Sequence, residues 1–96
     1  MDDPINTLKA AHPVLKYCRV EIPDQWAPSV HTMMGRLYAA GFDPKVDRME
    51  TIKERFGQLR VYFGVIHDPS IEDTLEDIAE KASIEAQVAF KCNPLA

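Results

Sequence analysis

The 96-residue chain is long enough for one modest hydrophobic core and too short for two, so we expect a single domain over residues 1–96. Its composition, 46% hydrophobic and 27% charged, excludes a disordered or fibrous protein. The net charge of −4 argues against a protein that coats nucleic acid, although it allows a local basic patch. The acidic start does not resemble a secretory signal and no stretch is long enough to span a bilayer, so we expect a cytoplasmic location.

The first half of the chain predicts a short helix, a strand and a longer helix. The short helix is expected around residues 5–11, and the β-branched and aromatic residues of 14–22 favour an edge strand. Apolar residues then recur at spacings of three and four over 26–38, which predicts an amphipathic helix. Gly41 followed by Phe42 indicates its end.

Residues 45–66 predict a β-hairpin that turns at Gly57. Its second strand alternates between apolar and other residues, and the apolar ones are Leu59, Val61, Phe63 and Val65. The first strand alternates less cleanly, because Val46, Ile52 and Phe56 share one parity with charged residues among them. A β-bulge or a partly solvated face is therefore expected in that strand.

The last element predicted is an amphipathic helix that begins after a cap at residues 68–70. Its apolar stripe consists of Ile71, Leu75, Ile78, Ala79, Ala82, Ala86 and Ala89. The stripe predicts packing on the sheet, and its small residues would also suit a helix-to-helix contact in a homodimer. The element order β-α-β-β-α predicts an α+β two-layer sandwich, in which two helices cover one face of a small antiparallel sheet that contains the hairpin.

No catalytic, metal-binding or phosphate-binding motif is recognisable. The histidines, His12, His31 and His67, are not spaced to converge on a metal. Cys18 and Cys92 form no C-x-x-C pair and are expected as reduced thiols. We therefore expect no enzymatic activity, no metal and no cofactor.

The hairpin contains a cluster of cations, namely Lys45, Arg48, Lys53, Arg55 and Arg60. The simplest interpretation is a solvated sheet face with cross-strand charge pairs to the nearby carboxylates, which are Asp43, Asp47, Glu50 and Glu54. A second interpretation is a binding surface, because Arg60 and Tyr62 share one parity and could stack on a base or bind a phosphate. Trp26, at the start of a helix, is either a core anchor or a contact residue.

A run of carboxylates follows the hairpin: Asp68, Glu72, Asp73, Glu76, Asp77 and Glu80. Its simplest interpretation is the solvent side of a helix whose first turn favours acids. Alternatively, these carboxylates could bind a basic groove and imitate the phosphates of nucleic acid.

Several features of the sequence match those of a known group of proteins. They are Trp26 at a helix start, the run KERFGQLRVY over 53–62, and Ala79, Glu80 and Ser83. Together they resemble a family of small uncharacterised proteins encoded by phages and prophages, whose hairpin signature is K-E-K-F-G-G-L-R-F-Y-like. Members often continue into a C-x-x-C-G tail that looks metal-binding, whereas this chain has only Cys92 there. The resemblance implies an accessory protein of a mobile element that binds a host component.

Our leading hypothesis is a small non-enzymatic interaction protein of phage or prophage type that binds a host or phage protein. The expected partner-binding residues are Trp26, Lys53, Arg55, Arg60 and Tyr62. One alternative is an acidic inhibitor of a host defence nuclease or effector, which would act through Glu72, Asp73, Glu76 and Asp77. Another is a weak nucleic-acid binder that uses the basic hairpin.

Overall fold

The chain adopts an α+β fold of three helices and a small sheet, as the sequence predicted. A computed structural model describes the backbone of residues 3–92 and the side chains of residues 3–87. Its helices and strands are α1 (Pro4–Ala11), β1 (Arg19–Glu21), α2 (Ala27–Ala39), β2 (Met49–Arg55), β3 (Gln58–Phe63) and α3 (Glu72–Cys92). Short 3-10 turns precede β1, α2 and α3, at Pro13–Tyr17, Asp24–Trp26 and Pro69–Ile71.

The segment before α2 differs from the expectation, because the strand predicted over 14–22 is confined to Arg19–Glu21. A 3-10 turn precedes it, in which the Leu15 N–H donates to the His12 carbonyl at 2.8 Å. The turn buries the neighbours Val14 and Leu15 together. A strand could not bury both on one side, since its successive side chains point to opposite faces.

The sheet has the order β1-β2-β3, with β1 at one edge as expected. β2 and β3 form the predicted antiparallel hairpin, and the predicted bulge lies between Met49 and Thr51. β1 pairs with β2 in parallel, with Val20 opposite Ile52, so the sheet is mixed and not wholly antiparallel. The parallel pair follows from the connection, because a crossover that contains α2 brings the chain back to the end of the sheet where β1 began.

The hairpin turns through two residues, since Arg55 and Gln58 are the last pair before the turn. Phe56 and Gly57 both have positive φ, +55° and +78°. Two positive φ values in a two-residue loop are typical of a type I′ turn. The Glu54 carboxylate supports this turn by accepting a hydrogen bond from the Gly57 N–H at 2.7 Å.

Helix α2 ends as the sequence predicted. Gly41 has a φ of +114°, in the region that favours glycine. The Phe42 N–H donates to the Leu37 carbonyl at 3.0 Å and the Gly41 N–H donates to the Tyr38 carbonyl at 3.1 Å. These are the two bonds of a Schellman motif, and the Phe42 side chain is buried beside it.

Helix α3 begins where the sequence predicted, because the Asp68 carboxylate accepts from the Ser70 N–H at 2.9 Å in the turn that precedes it. In its apolar stripe Leu75, Ala79, Ala82 and Ala86 are buried, Ile71 and Ile78 are half-buried, and Ala89 lies outside the described side chains. The stripe packs on β3 and α2 of the same chain. Ala79, Ala82 and Ala86 are therefore already buried within one chain.

The core lies between the sheet and helices α2 and α3. Its fully buried apolar side chains include Leu15, Val30, Met33, Met34, Leu37, Ile52 and Leu75. The Ser83 hydroxyl of α3 accepts a hydrogen bond from the Leu59 N–H at 3.1 Å. Val46 and Val65, which parity placed among the inward residues, are 52% and 76% exposed because they lie beyond the ends of the strands.

Candidate interaction surface

One face of the sheet packs on the helices and the other is open to solvent. Ile52 and Leu59 mark the packed side, since both are buried. The strand register places eight side chains on the opposite side, which we call the open face. They are Arg19, Glu21, Thr51, Lys53, Arg55, Gln58, Arg60 and Tyr62, and each is exposed or half-exposed.

The open face brings together four of the five residues expected to bind a partner: Lys53, Arg55, Arg60 and Tyr62. Lys53 is directly opposite Arg60 on the neighbouring strand. The Lys53 Nζ also lies 5.3 Å from the centroid of the Tyr62 ring, a cation–π distance. Tyr62 is 42% exposed, so part of its ring is available to a partner.

The fifth expected residue, Trp26, is not part of this surface. It is only 2% exposed and lies in the core. It lies in the 3-10 turn before α2, a turn that contacts α3, and its side chain belongs to the hydrophobic core. Of the two interpretations of Trp26, the core anchor is the one that the structure confirms.

The cross-strand charge pairs expected for the hairpin do not form. Among the described side chains, Lys53, Arg55 and Arg60 make no salt bridge; the one salt bridge of the open face joins Arg19 to Glu21 at 3.2 Å. Lys53 and Arg60 face each other with like charges, an arrangement that destabilises a sheet. Glu21 lies opposite Lys53 on the other neighbouring strand and is the one carboxylate of the open face, which therefore carries more positive than negative charge.

Two of the carboxylates expected in those pairs have other roles. Glu54 bonds to the Gly57 N–H, and Asp47 is fully buried. The Asp47 carboxylate accepts hydrogen bonds from the backbone N–H groups of Asp43 and His67, at 2.8 and 2.7 Å. It also accepts from the His67 Nδ1, at 2.9 Å to each oxygen. Asp47 thus ties together the two loops that flank the hairpin.

The surroundings of Asp47 and His67 shift both pKa values in the direction that favours the ionised side chains. Burial by itself would raise the pKa of Asp47, but the N–H groups of Asp43 and His67 and the His67 imidazole hold this pKa below its ordinary value. The hydrogen bond to Asp47 raises the pKa of His67, and the charges of Asp47, Asp68 and Asp43 add to the increase, partly opposed by desolvation. Both shifts therefore favour the charged forms of the two side chains that join the loops.

A residue that sequence reasoning did not place on a surface is Phe56. Parity assigned it to the inward side of the first strand, yet it is 85% exposed. Parity fails here because Phe56 belongs to the turn and to neither strand. The sequence does contain a signal for this position, because a two-residue turn that includes Gly57 would place Phe56 in the turn. The Arg55 guanidinium lies 5.4 Å from the centroid of the Phe56 ring, so the tip of the hairpin is both aromatic and basic.

The carboxylates proposed as an acidic surface lie at the start of α3. These residues, Glu72, Asp73, Glu76 and Asp77, are all exposed, and we call them the acidic face. Within residues 3–87 none of them forms a salt bridge. The acidic face is on the helix layer, whereas the open face is on the sheet.

His12 and His31, far apart in sequence, meet between α1 and α2. His12 Nε2 lies 2.8 Å from His31 Nδ1, and His12 Nδ1 lies 2.9 Å from the Tyr38 hydroxyl. Burial and the neighbouring His31 lower the pKa of His12, while burial raises the pKa of Tyr38. In the described part of the chain no three His, Cys, Asp or Glu side chains are grouped as a metal site would need. The two contacts of His12, which directly follows α1, join it to His31 and Tyr38 of α2.

Cys18 is a free thiol in the core. Burial raises its pKa to about 11, although Lys9 and a backbone hydrogen bond from Ile52 act in the opposite direction. A thiol with so high a pKa stays protonated and is a poor nucleophile. The Cys92 side chain lies outside the described residues.

Comparisons with known proteins returned no relative: no protein-family model, curated protein or solved structure matches the chain. The resemblance to phage and prophage proteins thus stays a prediction. Within residues 3–92, no helix is both long and apolar enough to cross a membrane.

Proposed function

We propose that the chain is a small non-enzymatic interaction protein of phage or prophage type, and that its open face binds an acidic surface on a host or phage protein. The observation that carries this proposal is the Lys53–Arg60 pair. Two cations placed directly opposite each other weaken the hairpin. A partner carboxylate that reached both would replace repulsion with two charge-assisted contacts.

The composition of the open face supports the same conclusion. Four of its eight side chains are cations and one is a carboxylate, although the whole chain has a net charge of −4. Tyr62, beside Lys53, adds the exposed aromatic surface that is enriched at protein interfaces. Complementary charge mainly steers encounter and sets specificity, while the aromatic ring contributes contact area.

The proposal is tested by replacing Arg60 and Tyr62 together with alanine. The tagged protein is used for affinity capture from a bacterial lysate, half of it treated with nuclease, and the bound proteins are identified by mass spectrometry. A nuclease-resistant partner should be captured by the natural protein and lost from the variant. The circular dichroism spectrum and the melting temperature should change little, because both side chains are exposed.

The matched control replaces Lys45 and Tyr17 with alanine, an exposed cation and an exposed tyrosine that are outside the strands. This control should retain the partner. Equal loss from both variants would show that capture depends on general charge and aromatic content, and it would contradict the proposal. Collapse of the fold in the Arg60 and Tyr62 variant would show that these residues are structural.

A second candidate function is an acidic inhibitor of a nuclease or effector with a basic groove. It is favoured by the exposed carboxylates of the acidic face, which have no salt-bridge partner among the described side chains. Replacing Glu72, Asp73, Glu76 and Asp77 with lysine should then remove inhibition. Retained inhibition would reject this candidate.

Nucleic acid is the alternative ligand for the basic hairpin, and salt separates it from a protein. A weak nucleic-acid binder should retain single-stranded nucleic acid at low salt and release it as salt rises. A protein partner should survive nuclease treatment. Recovery of nucleic acid alone, lost on that treatment, would replace the proposed function by this one.

A further inference from the structure

The tip of the hairpin, Phe56 and Gly57, has a residue type that is unusual for its backbone conformation. Phe56 has a φ of +55°, in the left-handed region that bulky residues rarely adopt. The first position of a type I′ turn is typically Asn, Asp or Gly. Phenylalanine there is therefore unfavourable for the hairpin itself.

Among the side chains of residues 3–87, the only recorded aromatic or cation–π contact of the Phe56 ring is with its neighbour Arg55. The Phe56 side chain is 85% exposed, and the cation over its ring belongs to the adjacent Arg55. Strained and exposed residues of this kind are typical of contact sites, because folding does not select them. Phenylalanine and arginine are also both enriched at protein–protein interfaces relative to the rest of the surface.

A groove between α1 and the start of α2 has a lining that suits an aromatic and basic group such as the hairpin tip. Its volume is about 560 Å³, which is within the range of pockets that enclose aromatic groups. Leu8, Ala11, Ala27 and Pro28 contribute to its mainly apolar lining. Its lining contains one carboxylate, Asp24, and no lysine or arginine.

We propose that the hairpin tip of one copy docks in this groove of a second copy, with Phe56 in the apolar part and Arg55 paired with Asp24. The charges are complementary, since the tip presents the guanidinium and the groove presents the carboxylate. Phe56 and the groove lie outside the open face, whereas Arg55 belongs to both surfaces, so this self-association and the partner proposed for the open face share one residue.

The strand register allows the exchange to be reciprocal. β1 runs parallel to β2, and Glu21 at its end pairs with Lys53 near the end of β2. The chain therefore leaves β1 toward the end of the sheet where the hairpin turns, and it reaches Asp24 there. With tip and groove at the same end of the molecule, each copy of a two-fold dimer can both give a tip and receive one. Because the contact is limited to a hairpin tip and a groove, we expect a small interface and a transient dimer.

The first test is sedimentation velocity of the purified protein at increasing concentration. The natural chain should form a dimer, and Phe56→Asn should remain monomeric. Because Asn-Gly suits a type I′ turn, the same variant should melt at a higher temperature than the natural protein at a dilution where the natural chain is monomeric, since dimer formation by itself would stabilise the natural chain. A monomeric natural chain, a dimer that persists in Phe56→Asn, or a lower melting temperature in that variant would each overturn the proposal.

The second test identifies the groove as the receiving site. Ala11→Arg places a long cation in the groove at an exposed helical position, where arginine is well tolerated, and it should also give monomers. Phe56→Asn retains its groove and Ala11→Arg retains its tip, so a mixture of the two should form a heterodimer through one of the two reciprocal contacts, weaker than the natural dimer, whereas neither variant should associate alone. Dimers of Ala11→Arg, or no association on mixing, would show that the tip does not occupy this groove.

Charge reversal supplies the last test and its control. Arg55→Asp and Asp24→Arg should each weaken the dimer, and the two changes in one chain should restore it. Val65→Asn removes another exposed apolar side chain, at the opposite end of the hairpin, and should leave the dimer intact. A double variant as weak as the single ones would contradict the pairing of Arg55 with Asp24.

Discussion

The two ends of the β2–β3 hairpin are built in opposite ways. At its base, Asp47 is fully buried and accepts three hydrogen bonds from the loops on both sides. At its tip, Phe56 occupies an unfavourable backbone conformation and is almost fully exposed. The base uses a buried charge to hold the fold, whereas the tip gives up some stability and leaves an aromatic ring available.

This difference separates the residues that hold the fold from those proposed to bind. Changes at the base should lower stability, while changes at the tip and on the open face should leave it equal or higher. Natural proteins commonly tolerate unfavourable residues where activity needs them. The following predictions test this separation in order of decreasing effect.

The largest effect is expected for Asp47→Asn at the base. The variant keeps the size of the side chain but removes the charge and turns one acceptor into a donor that faces N–H groups. Because the amide leaves a backbone N–H group of Asp43 or His67 without its acceptor, the free energy of unfolding should fall by about 2 kcal/mol. Urea unfolding followed by circular dichroism measures this change.

Glu80→Gln is the control for Asp47→Asn, since it removes one negative charge from an exposed position of α3. Its free energy of unfolding should stay within about 0.5 kcal/mol of the natural value. Equal stability of the two variants would show that the base does not depend on the buried carboxylate.

Asp47 and His67, at the base of the hairpin, should also make the free energy of unfolding depend on pH. The pKa of Asp47 is lowered, so its contribution is present above the ordinary carboxyl value of 3.8 and is lost as pH falls through the pKa of the folded state. The pKa of His67 is raised, so its contribution is complete below 6.5 and is lost as pH rises through the folded pKa. Both contributions are therefore present between pH 3.8 and 6.5.

His67→Gln tests the alkaline side of this window. The difference in melting temperature between the natural protein and the variant should be largest below pH 6.5 and should shrink as pH rises above it. Part of the difference should remain, because a neutral imidazole still donates a hydrogen bond to Asp47. A difference that stays constant from acidic to alkaline pH would mean that the charge of His67 does not stabilise the base.

At the tip, comparison of Phe56→Asn with Phe56→Ala isolates the cost of the backbone conformation. Asparagine adopts the left-handed region readily, whereas alanine has the same steric difficulty as phenylalanine there. Phe56→Asn should raise the free energy of unfolding by about 1 kcal/mol, and Phe56→Ala should change it by less than about 0.5 kcal/mol. Stabilisation by both variants would attribute the effect to removal of exposed apolar surface instead.

The elements predicted correctly from the sequence are those set by local patterns. The spacing of apolar residues in α2 and α3, Gly41 at the end of α2 and the hairpin turn at Gly57 all follow from neighbours along the chain. The parallel pairing of β1 with β2 depends on how a crossover packs, and no local pattern contains that information. The predicted strand over 14–22 was too long for a related reason, because tertiary burial of two adjacent residues favours a turn.

The candidate site could be predicted in part. Arg60 and Tyr62 share a parity in one strand, so their common face was accessible from the sequence, and the register then adds Lys53 and Arg55. The burial of Asp47 could not be predicted, because a charged residue in a loop is usually solvated and its partners come from a loop 20 residues away. Phe56 was missed because strand parity has no meaning inside a turn.

The smallest effect is expected on the open face, from Arg60→Glu. The change replaces repulsion of Lys53 by attraction across the strands, so the free energy of unfolding should rise by a few tenths of a kcal/mol at low salt. Arg60→Gln, which only removes the repulsion, should give about half of that increase. High salt should abolish the difference, because exposed charges are screened. If Arg60→Glu instead lowers the free energy of unfolding at every salt concentration, then Arg60 stabilises the fold, which would contradict a role for its charge in partner binding alone.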